Sequence, residues 1–411
     1  MGIAGVSEIE RVPEIVAALR HTAYPTSDIN WPQGHVAVIA DFHAGLFGGP
    51  ISQLLRCLSA IKVCEELKRR GVDATPVCWI RADTTADFSP HEIHLLDHCY
   101  RLHRISLNAP NDLHETGTGT AQAMVCDDRT EHLLDEIEAI FPSSVAVAEN
   151  NRAFAALRKA FAPGSNFISA NARWTGDLLN HWGMLTMKPD ESDSDTVDKE
   201  LRKTAVSFPL MQCQKLPVAI IITESRDDSA GITAASLWKH AGVTRPLFWP
   251  RAQVTITSAR INKFLRRYDL DFTQLFNGSG NIMESVCEKM QSDVPERLQW
   301  LETEVRDALK ELKVFDAHDQ RSARDGRERG ERILYQFEKL RRHTDGALVH
   351  KKQTAINRIR KACDFLTPHG RRQEDVLGLL QIPLRYGTTG LQTLYENLDI
   401  TNFDNQLVEI D

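Results

Sequence analysis

The sequence predicts an α/β protein: a Rossmann-like parallel-sheet core with inserted elements, followed by a C-terminal helical hairpin arm. Three observations predict it. Short apolar runs rich in β-branched residues alternate with helix-period stretches at 35–80, and the same alternation resumes at 217–257. Beyond residue 281 the apolar spacing changes to a repeat of four and three, the mark of a coiled-coil seam.

The first strand is expected at 35–40, His-Val-Ala-Val-Ile-Ala, ending in a turn-rich loop, Asp41 to Pro50. Apolar residues at 51, 54, 55, 58, 61, 64 and 67 then give a helix, with Pro50 suited to its start and Gly71 to its end. A second buried strand is expected at 74–80. Strand, helix and strand in this order form a βαβ unit, which requires a parallel pair. Residues 81–107 admit two readings. His91, His94 and His98 could share one helix face and hold a metal, or 93–96 and 102–107 could be two short strands. No metal site is assigned on this pattern.

Further on, helices are expected at about 130–140 and 150–161 with a strand at 144–148 between them. The acidic, apolar-poor stretch 188–200 reads as a linker or exposed loop. The clearest strand is 217–223, followed by a helix at 231–241, and 247–249 and 254–257 are β-prone; this second unit could complete the first sheet. Val294, Leu298, Leu301, Val305, Ala308, Leu312 and Phe315 form the seam of one arm helix. Gly326 and Gly330 lie in a charged stretch that could reverse the chain into a second long helix, ending near Leu366. The organisation expected is a core over 1–280 with an insertion at about 108–215, an arm over 281–366, and a segment 367–411 packing back on the core.

Composition bounds the function. The 411 residues carry 49 Lys and Arg against 56 Asp and Glu, a net charge of −7. That balance argues against a nucleic-acid coat protein, which needs a basic face. The average conceals a segregation: 321–372 holds 15 basic and 6 acidic residues, the solvated face of a helical hairpin more readily than an RNA site. No apolar run approaches the roughly 18–20 residues that span a bilayer. The eight cysteines form no CxxC pair and most sit in apolar runs, as expected of buried thiols in a reducing, cytoplasmic compartment.

Gly45-Leu-Phe-Gly-Gly-Pro50 has neither the spacing of a dinucleotide fingerprint nor the Lys-Ser/Thr of a P-loop. It does place Gly45, Gly48 and Gly49 at a helix start beyond a strand's carboxyl end, where open α/β sheets bind ligands and backbone N–H groups favour anions. Asp41 and His43 flank the loop, and Asp83 and Asp87 follow the next strand at the same edge. Four titratable groups converging on one cleft would suit acid–base chemistry.

These residues resemble the cysteine-adding enzymes (cysteine ligases) of bacillithiol biosynthesis. Members carry Gly-Gln-Gln-x-Gly-Leu-x-x-Gly-Pro-Leu after the first strand; here the stretch Asp41-Phe-His-Ala-Gly-Leu-Phe-Gly-Gly-Pro-Ile51 stands in that place. The helix following it, with Cys57-Leu-Ser-Ala-Ile-Lys-Val-Cys-Glu-Glu-Leu67, is similar to the family's, and Pro76-Val-Cys-Trp79 resembles its Pro-Val-Phe-Trp strand. Further similarities are 178–185, Pro250-Arg251, 365–374 and Arg385-Tyr-Gly387, so the likeness runs collinearly over roughly 36–395.

The resemblance implies a Rossmann-like core, a coiled-coil arm used for homodimerisation, and condensation of cysteine onto an amine acceptor such as glucosaminyl malate, with ATP as the natural activator. On it rest His43 as the base and Asp83 and Asp87 as amine or metal contacts. It also suggests Gly45, Gly48 and Gly49 as anion donors, Trp79 as cleft wall, and Asp41, His94, Arg251 and Gln373 as substrate contacts. The departures are polar. Gly-Gln-Gln becomes Asp41-Phe42-His43, the Glu-Asp-His-Asp-Phe motif becomes Asp83-Thr-Thr-Ala-Asp87-Phe88, and a Gly-Pro-Gly-Glu turn becomes Glu224-Ser-Arg-Asp227. Scaffold retained with polar residues replaced suggests another acceptor in a specialised pathway, or a silent scaffold, as alternatives.

Overall fold

A computed structural model of the chain describes residues 34–81, 89–107, 124–141, 147–188, 207–224, 238, 242–270, 272, 282–283, 286, 293–311 and 320–410. Asp83 and Asp87, the acidic stretch from 189 to 200, and the helix expected at 231–241, apart from Trp238, lie outside these residues.

The first apolar run forms β1 (Val36–His43), buried along its whole length. It is longer than expected: Asp41 and His43 belong to the strand and not to the loop after it. A short 3-10 turn at Leu46–Gly48 leads into α1 (Ile51–Arg69), and β2 (Ala74–Arg81) returns parallel to β1. The α1 helix is apolar around most of its circumference, so it lies buried. Gly71, at φ 78°, ends the stretch in the left-handed conformation that a side chain would disfavour.

Five strands make the main sheet. With β5 (Leu185–Met187), β6 (Val218–Thr223) and β7 (Leu247–Pro250), the order is β5-β2-β1-β6-β7, and every pairing is parallel. Helices cover both faces. Cys57 of α1 and Cys78 of β2 meet on one face, Sγ to Sγ 3.7 Å. On the other, Ala37, Ile39, Val77, Trp79, Ile221 and Phe248 pack with Leu210, Met211 and Cys213 of α5 (Ser207–Lys215).

Residues 92–106 settle the two readings left open by the sequence. They form an antiparallel hairpin, β3 (Glu92–Leu96) with β4 (Leu102–Ser106), so the three histidines share no helix face. Asp97 closes the turn, its Oδ1 accepting the N–H groups of Cys99 and Arg101. Helices α2 (Asp128–Ile140), α3 (Val147–Ala160) and α4 (Phe167–Leu179) follow. The start of α3 at Val147 takes in the end of the strand expected at 144–148, whose earlier residues are not described.

The expectation that 254–257 completes the main sheet is corrected. This stretch, β8 (Gln253–Thr257), pairs in parallel with β9 (Asn405–Glu409) in a separate two-stranded sheet. Its other edge is capped by side chains of α9 (Gln373–Val376), which leaves no free ladder for the main sheet. The Gln373 amide accepts from the Ile256 N–H at 2.7 Å and donates to the Ile256 carbonyl at 3.1 Å, and Glu374 accepts the Val254 N–H at 2.6 Å. Gln381, at the start of α10 (Gln381–Asn397), brackets Leu96 in the same way. Two glutamines thus stand in for strands.

The described residues up to Arg260 and from Arg371 onward form one compact unit; residues of 261–370 form a second. After α6 (Ala259–Tyr268), the second unit holds α7 (Val294–Glu311) and α8 (Gln320–Leu366). They run antiparallel: Leu309 lies against Gly330, whose added Cβ would come within 2.8 Å of it, and Glu302 pairs with Arg341 at 3.4 Å.

Two corrections follow. Gly326 and Gly330 sit inside α8 and do not reverse the chain; the connection falls within 312–319, outside the described residues. The inward positions of α7 are Leu298, Glu302, Val305 and Leu309, whereas Val294, Leu301 and Ala308 of the expected seam face out. The stripe is rotated by one position because Gly330 admits Leu309. Some of the basic charge of α8 is paired along the helix, as in Arg329–Asp325, Arg332–Glu328 and Arg342–Glu338.

Candidate active site

In a parallel sheet, strand carboxyl ends share one edge, and ligands bind where the strand order reverses. Here the chain moves from β1 outward to β2 and β5, then crosses to β6 on the other side of β1. The reversal lies between β1 and β6. The residues at that edge are charged: Asp41 near the end of β1, Arg81 closing β2, Glu224 just after β6, and Arg251 just after β7.

Arg56 of α1 bridges the reversal point. Its Nη1 donates to the Asp41 carbonyl at 3.2 Å, and its Nε and Nη2 donate to Glu224 Oε2 at 2.9 and 2.5 Å. Glu224 Oε1 accepts from Arg251 Nε at 2.7 Å and also from Nη2. Arg251 is fully buried; its Nη1 reaches Glu374 at 2.9 Å and the Ala252 carbonyl at 3.1 Å, and its Nη2 reaches Asp375 at 3.3 Å. The layering is chemical. Arg251 and Glu374 form the dry base, while the Glu224 and Asp375 side chains keep 32% and 29% of their surface exposed.

This arrangement separates the protonation behaviour of neighbouring carboxyls. Burial pushes Glu224 up, but the Arg56 and Arg251 guanidiniums outweigh it and bring its pKa down to about 2. Burial also raises Asp375, and there it prevails over Arg251, with the negative Glu224 adding to the rise. Burial raises Glu374 against the pull of Arg251 and of the Val254 N–H. Two carboxyls sharing the Nη2 nitrogen of Arg251 are therefore set apart, one firmly ionised and one readier to take a proton. Acid and base roles are divided by such differences in environment.

A second node lies on the α5 face. Asp41, buried, accepts from Arg81 Nη1 at 2.8 Å and from Gln212 Nε2 of α5 at 2.5 Å. His43, two residues on and on the same face, is also buried, and its backbone N–H donates to Gln53 Oε1 at 3.0 Å.

The remaining residues singled out by sequence are distributed as follows. Trp79 lies in the apolar core under α5 rather than on an open wall, with its indole N–H unpartnered. His94 is in β3, half-buried, its carbonyl accepting the Gly378 N–H. Gln373 holds β8, as described above. The N–H groups of Gly45, Gly48 and Gly49 already have acceptors: Asn171 Oδ1, the Gly45 carbonyl and the Leu46 carbonyl. The glycine turn is itself covered by 377–379, since Ile51 N–H donates to the Leu377 carbonyl and Leu379 N–H to the Gly49 carbonyl. Among the described residues, no group of three or more His, Cys, Asp or Glu is placed to hold a metal ion.

The glycines position the turn. Gly48 has φ 98°, and a Cβ there would lie 3.2–3.3 Å from Trp174 and Leu379. Gly48→Ala is expected to lower stability by about 2 kcal/mol, from left-handed strain together with crowding. A chemical-denaturation midpoint with unchanged slope would measure it.

Sequence reasoning missed Arg56, Arg81, Gln212, Glu224, Glu374 and Asp375 as site residues. A signal was present for three of them. Arg81 and Glu224 are charged residues at the ends of apolar strands, and Arg56 interrupts the apolar first half of its helix. Gln212 and the Glu374-Asp375 pair carry none without the fold.

A parallel α/β sheet with paired charged residues at its reversal point, together with a helical arm, places the chain among α/β proteins, a class whose ligands ordinarily sit at the strand ends. Comparison with known proteins shows what the chain is similar to. Residues 254–410 match the family model described as "Bacillithiol biosynthesis BshC, C-terminal coiled-coil domain". A protein of Solibacter usitatus (strain Ellin6076) named "Putative cysteine ligase BshC" is 20% identical, over 98% of this chain and 90% of the relative. Relatives of the same name from Salinibacter ruber (strain DSM 13855 / M31) and Heliobacterium modesticaldum (strain ATCC 51547 / Ice1) are 21% and 26% identical. The first alignment covers 91% of this chain and 83% of the relative, the second 46% and 35%. The chain is thus similar to these cysteine-ligase relatives over nearly its whole length, and its residues 254–410 match the family's C-terminal coiled-coil domain. No helix among the described residues is long and apolar enough to cross a membrane.

Proposed function

We propose that this chain is an amide-forming ligase of the cytoplasm that joins an amino acid, cysteine, to the amine of an acceptor such as glucosaminyl malate. The observation that carries this reading is the pair of part-exposed carboxyls, Glu224 and Asp375, on one nitrogen of buried Arg251 at the sheet's reversal point. An amine acceptor arrives as an ammonium. Ionised Glu224 attracts it, and Asp375, raised by burial, is suited to take the proton that frees the nitrogen lone pair. His43 is the second candidate base, and Asp83 and Asp87 keep the amine-contact role given to them by sequence.

Amide formation joins the cysteine carboxyl carbon to the acceptor nitrogen and removes the elements of water, so the carboxylate needs activation; ATP is the activator in this reading. The turn at 45–50 does not fit a triphosphate, because its glycine N–H groups have acceptors and no lysine follows. The arm is the element we propose to pair two copies, since Trp300, Leu301, Ile333, Leu340 and Val349 are exposed on it.

Purified protein incubated with cysteine, ATP and a panel of amines, glucosaminyl malate included, is expected to give a new amide by mass spectrometry. A panel with no amide contradicts the reading. Phe42 and His43, standing where the family has two glutamines, favour a second acceptor, and an amide formed only with another amine would select that alternative.

A further inference from the structure

Asp375, read above as the group that takes the ammonium proton, faces two arginines through different oxygens. Its Oδ1 lies 3.3 Å from Nη2 of Arg251, and its Oδ2 lies 3.8 Å from Nε of Arg372. Arg372 also reaches inward, its Nη1 lying 3.6 Å from Oε1 of Glu374. That oxygen accepts from Arg251 Nη1 at 2.9 Å, while Glu374 Oε2 accepts the Val254 N–H. Arg251 therefore spans the two carboxyls from the dry side. Arg372, with 43% of its side chain exposed, spans them from the wet side.

This placement is local in origin. The Asp375 N–H donates to the Arg372 carbonyl at 3.2 Å, closing one turn that brings residues three apart to the same side. The two residues between them, Gln373 and Glu374, are buried and bonded to Ile256 and Val254, which holds the turn against β8. Burial disfavours the Asp375 carboxylate, and Arg251 opposes that. Glu224 adds to the first side, Arg372 and the exposed Arg371 to the second, and Glu374 is a further negative neighbour. Arg251 divides its charge among three carboxyls, and its contact with Asp375 is the longest of the three. Both Arg372 contacts exceed hydrogen-bond length, so its guanidinium lends charge without occupying a lone pair of Oδ2.

We infer that Arg372 is a positioning residue that keeps the Asp375 carboxyl ionised at neutral pH while leaving Oδ2 able to take a proton from an incoming ammonium. The inference rests on the ligase reading above, in which Asp375 is the base. When the ammonium N–H bond breaks, the proton passes to Oδ2 and the electron pair stays on nitrogen, which then attacks the activated carboxyl carbon. Arg372 exchanges no proton in this step. A purely structural Arg372 would support the fold beside Glu374 and leave the titration of Asp375 where it was.

The test is a carbon-13 NMR titration of the full chain labelled at its aspartate carboxyls, with Asp375→Asn identifying the Asp375 signal. Arg372→Gln is expected to raise the apparent midpoint of Asp375 by roughly half a pH unit, a modest effect because solvent screens a part-exposed charge. Arg372→Lys, which keeps the charge, should restore most of the difference, and Arg371→Gln should move the midpoint less. Arg372→Met serves if the glutamine variant does not fold. Rates of amide formation on the same samples should show Arg372→Gln slowed on the acid side and rejoining wild type as pH rises, with KM unchanged.

An unmoved midpoint in Arg372→Gln, or a shift just as large in Arg372→Lys, would overturn the inference. So would an equal loss of rate at every pH, the behaviour of a residue that only supports the fold. The two readings fail separately. A raised midpoint without any amide from wild type leaves the hold of Arg372 on Asp375 standing and rejects the ligase. Amide formation with an unmoved midpoint does the reverse.

Discussion

Arg251→Met is expected to cost about 3–5 kcal/mol of stability, the range for removing one partner of a buried charge cluster. The side chain is fully buried and serves Glu224, Glu374, Asp375 and the Ala252 carbonyl at once. Without it, Glu374 is a buried carboxylate left with only the more distant Arg372, whose Nη1 is 3.6 Å away. The loss should therefore shrink as pH falls. A carboxyl whose folded pKa lies above its unfolded value destabilises when ionised, and that penalty disappears once the pH is below both. Arg251→Lys is expected to fall between, because one ammonium cannot serve three carboxylates with a fork's geometry. Denaturant midpoints at pH 7 and pH 5 measure all of this; a Met variant as stable as wild type at both would contradict it.

Glu224→Gln is expected to change the acid limb of the stability profile. Glu224 sits at about 2, below the ordinary carboxyl value, because two guanidiniums outweigh its burial. A depressed carboxyl contributes stability that is fully present above its unfolded pKa and lost as pH falls through its folded one. For wild type the window runs from about pH 4.5 down to about 2. The glutamine variant lacks that contribution at neutral pH and has a flatter profile across the same window. Melting temperatures recorded between pH 7 and pH 2.5 would show it, and parallel profiles for the two proteins would contradict the pairing.

The scaffold was legible because its signals are local. The β1 and β2 runs, the α1 periodicity and the β6 run each declare themselves within about ten to twenty residues. The misreadings share one physical origin, a partner distant in sequence. Asp41 and His43 looked like loop residues because they are polar, yet they close a buried strand; Asp41 is paired with Arg81 and Gln212, 40 and 171 residues away. Residues 254–257 had a good strand pattern, but their edge is taken by Gln373, 117 residues on. Gly330 looked like a chain reversal and is instead a helix position where Leu309 comes close.

The residues of the candidate site were only partly legible. The edge beyond β1 was proposed from glycines at a helix start, and those glycines hold their own turn. Arg251 was singled out through its Pro-Arg pair, but its partners Glu224, Glu374 and Asp375 were not, since nothing local ties residues 27 to 124 positions apart into one cluster. Charged residues immediately beyond apolar strands are the signal that would have found more of them.

The central claim is that the carboxyls gathered on Arg251 at the sheet's reversal point serve amide formation. Its most direct measurement compares wild type and Glu224→Gln, at pH 7 and both folded, for amide product by mass spectrometry with cysteine, ATP and the acceptor panel. Wild type is predicted to form the amide and the variant to form it about a hundredfold more slowly, the order expected when a preorganised charge at a reacting group is removed. Product formed equally by the two proteins, or by neither, would contradict the claim.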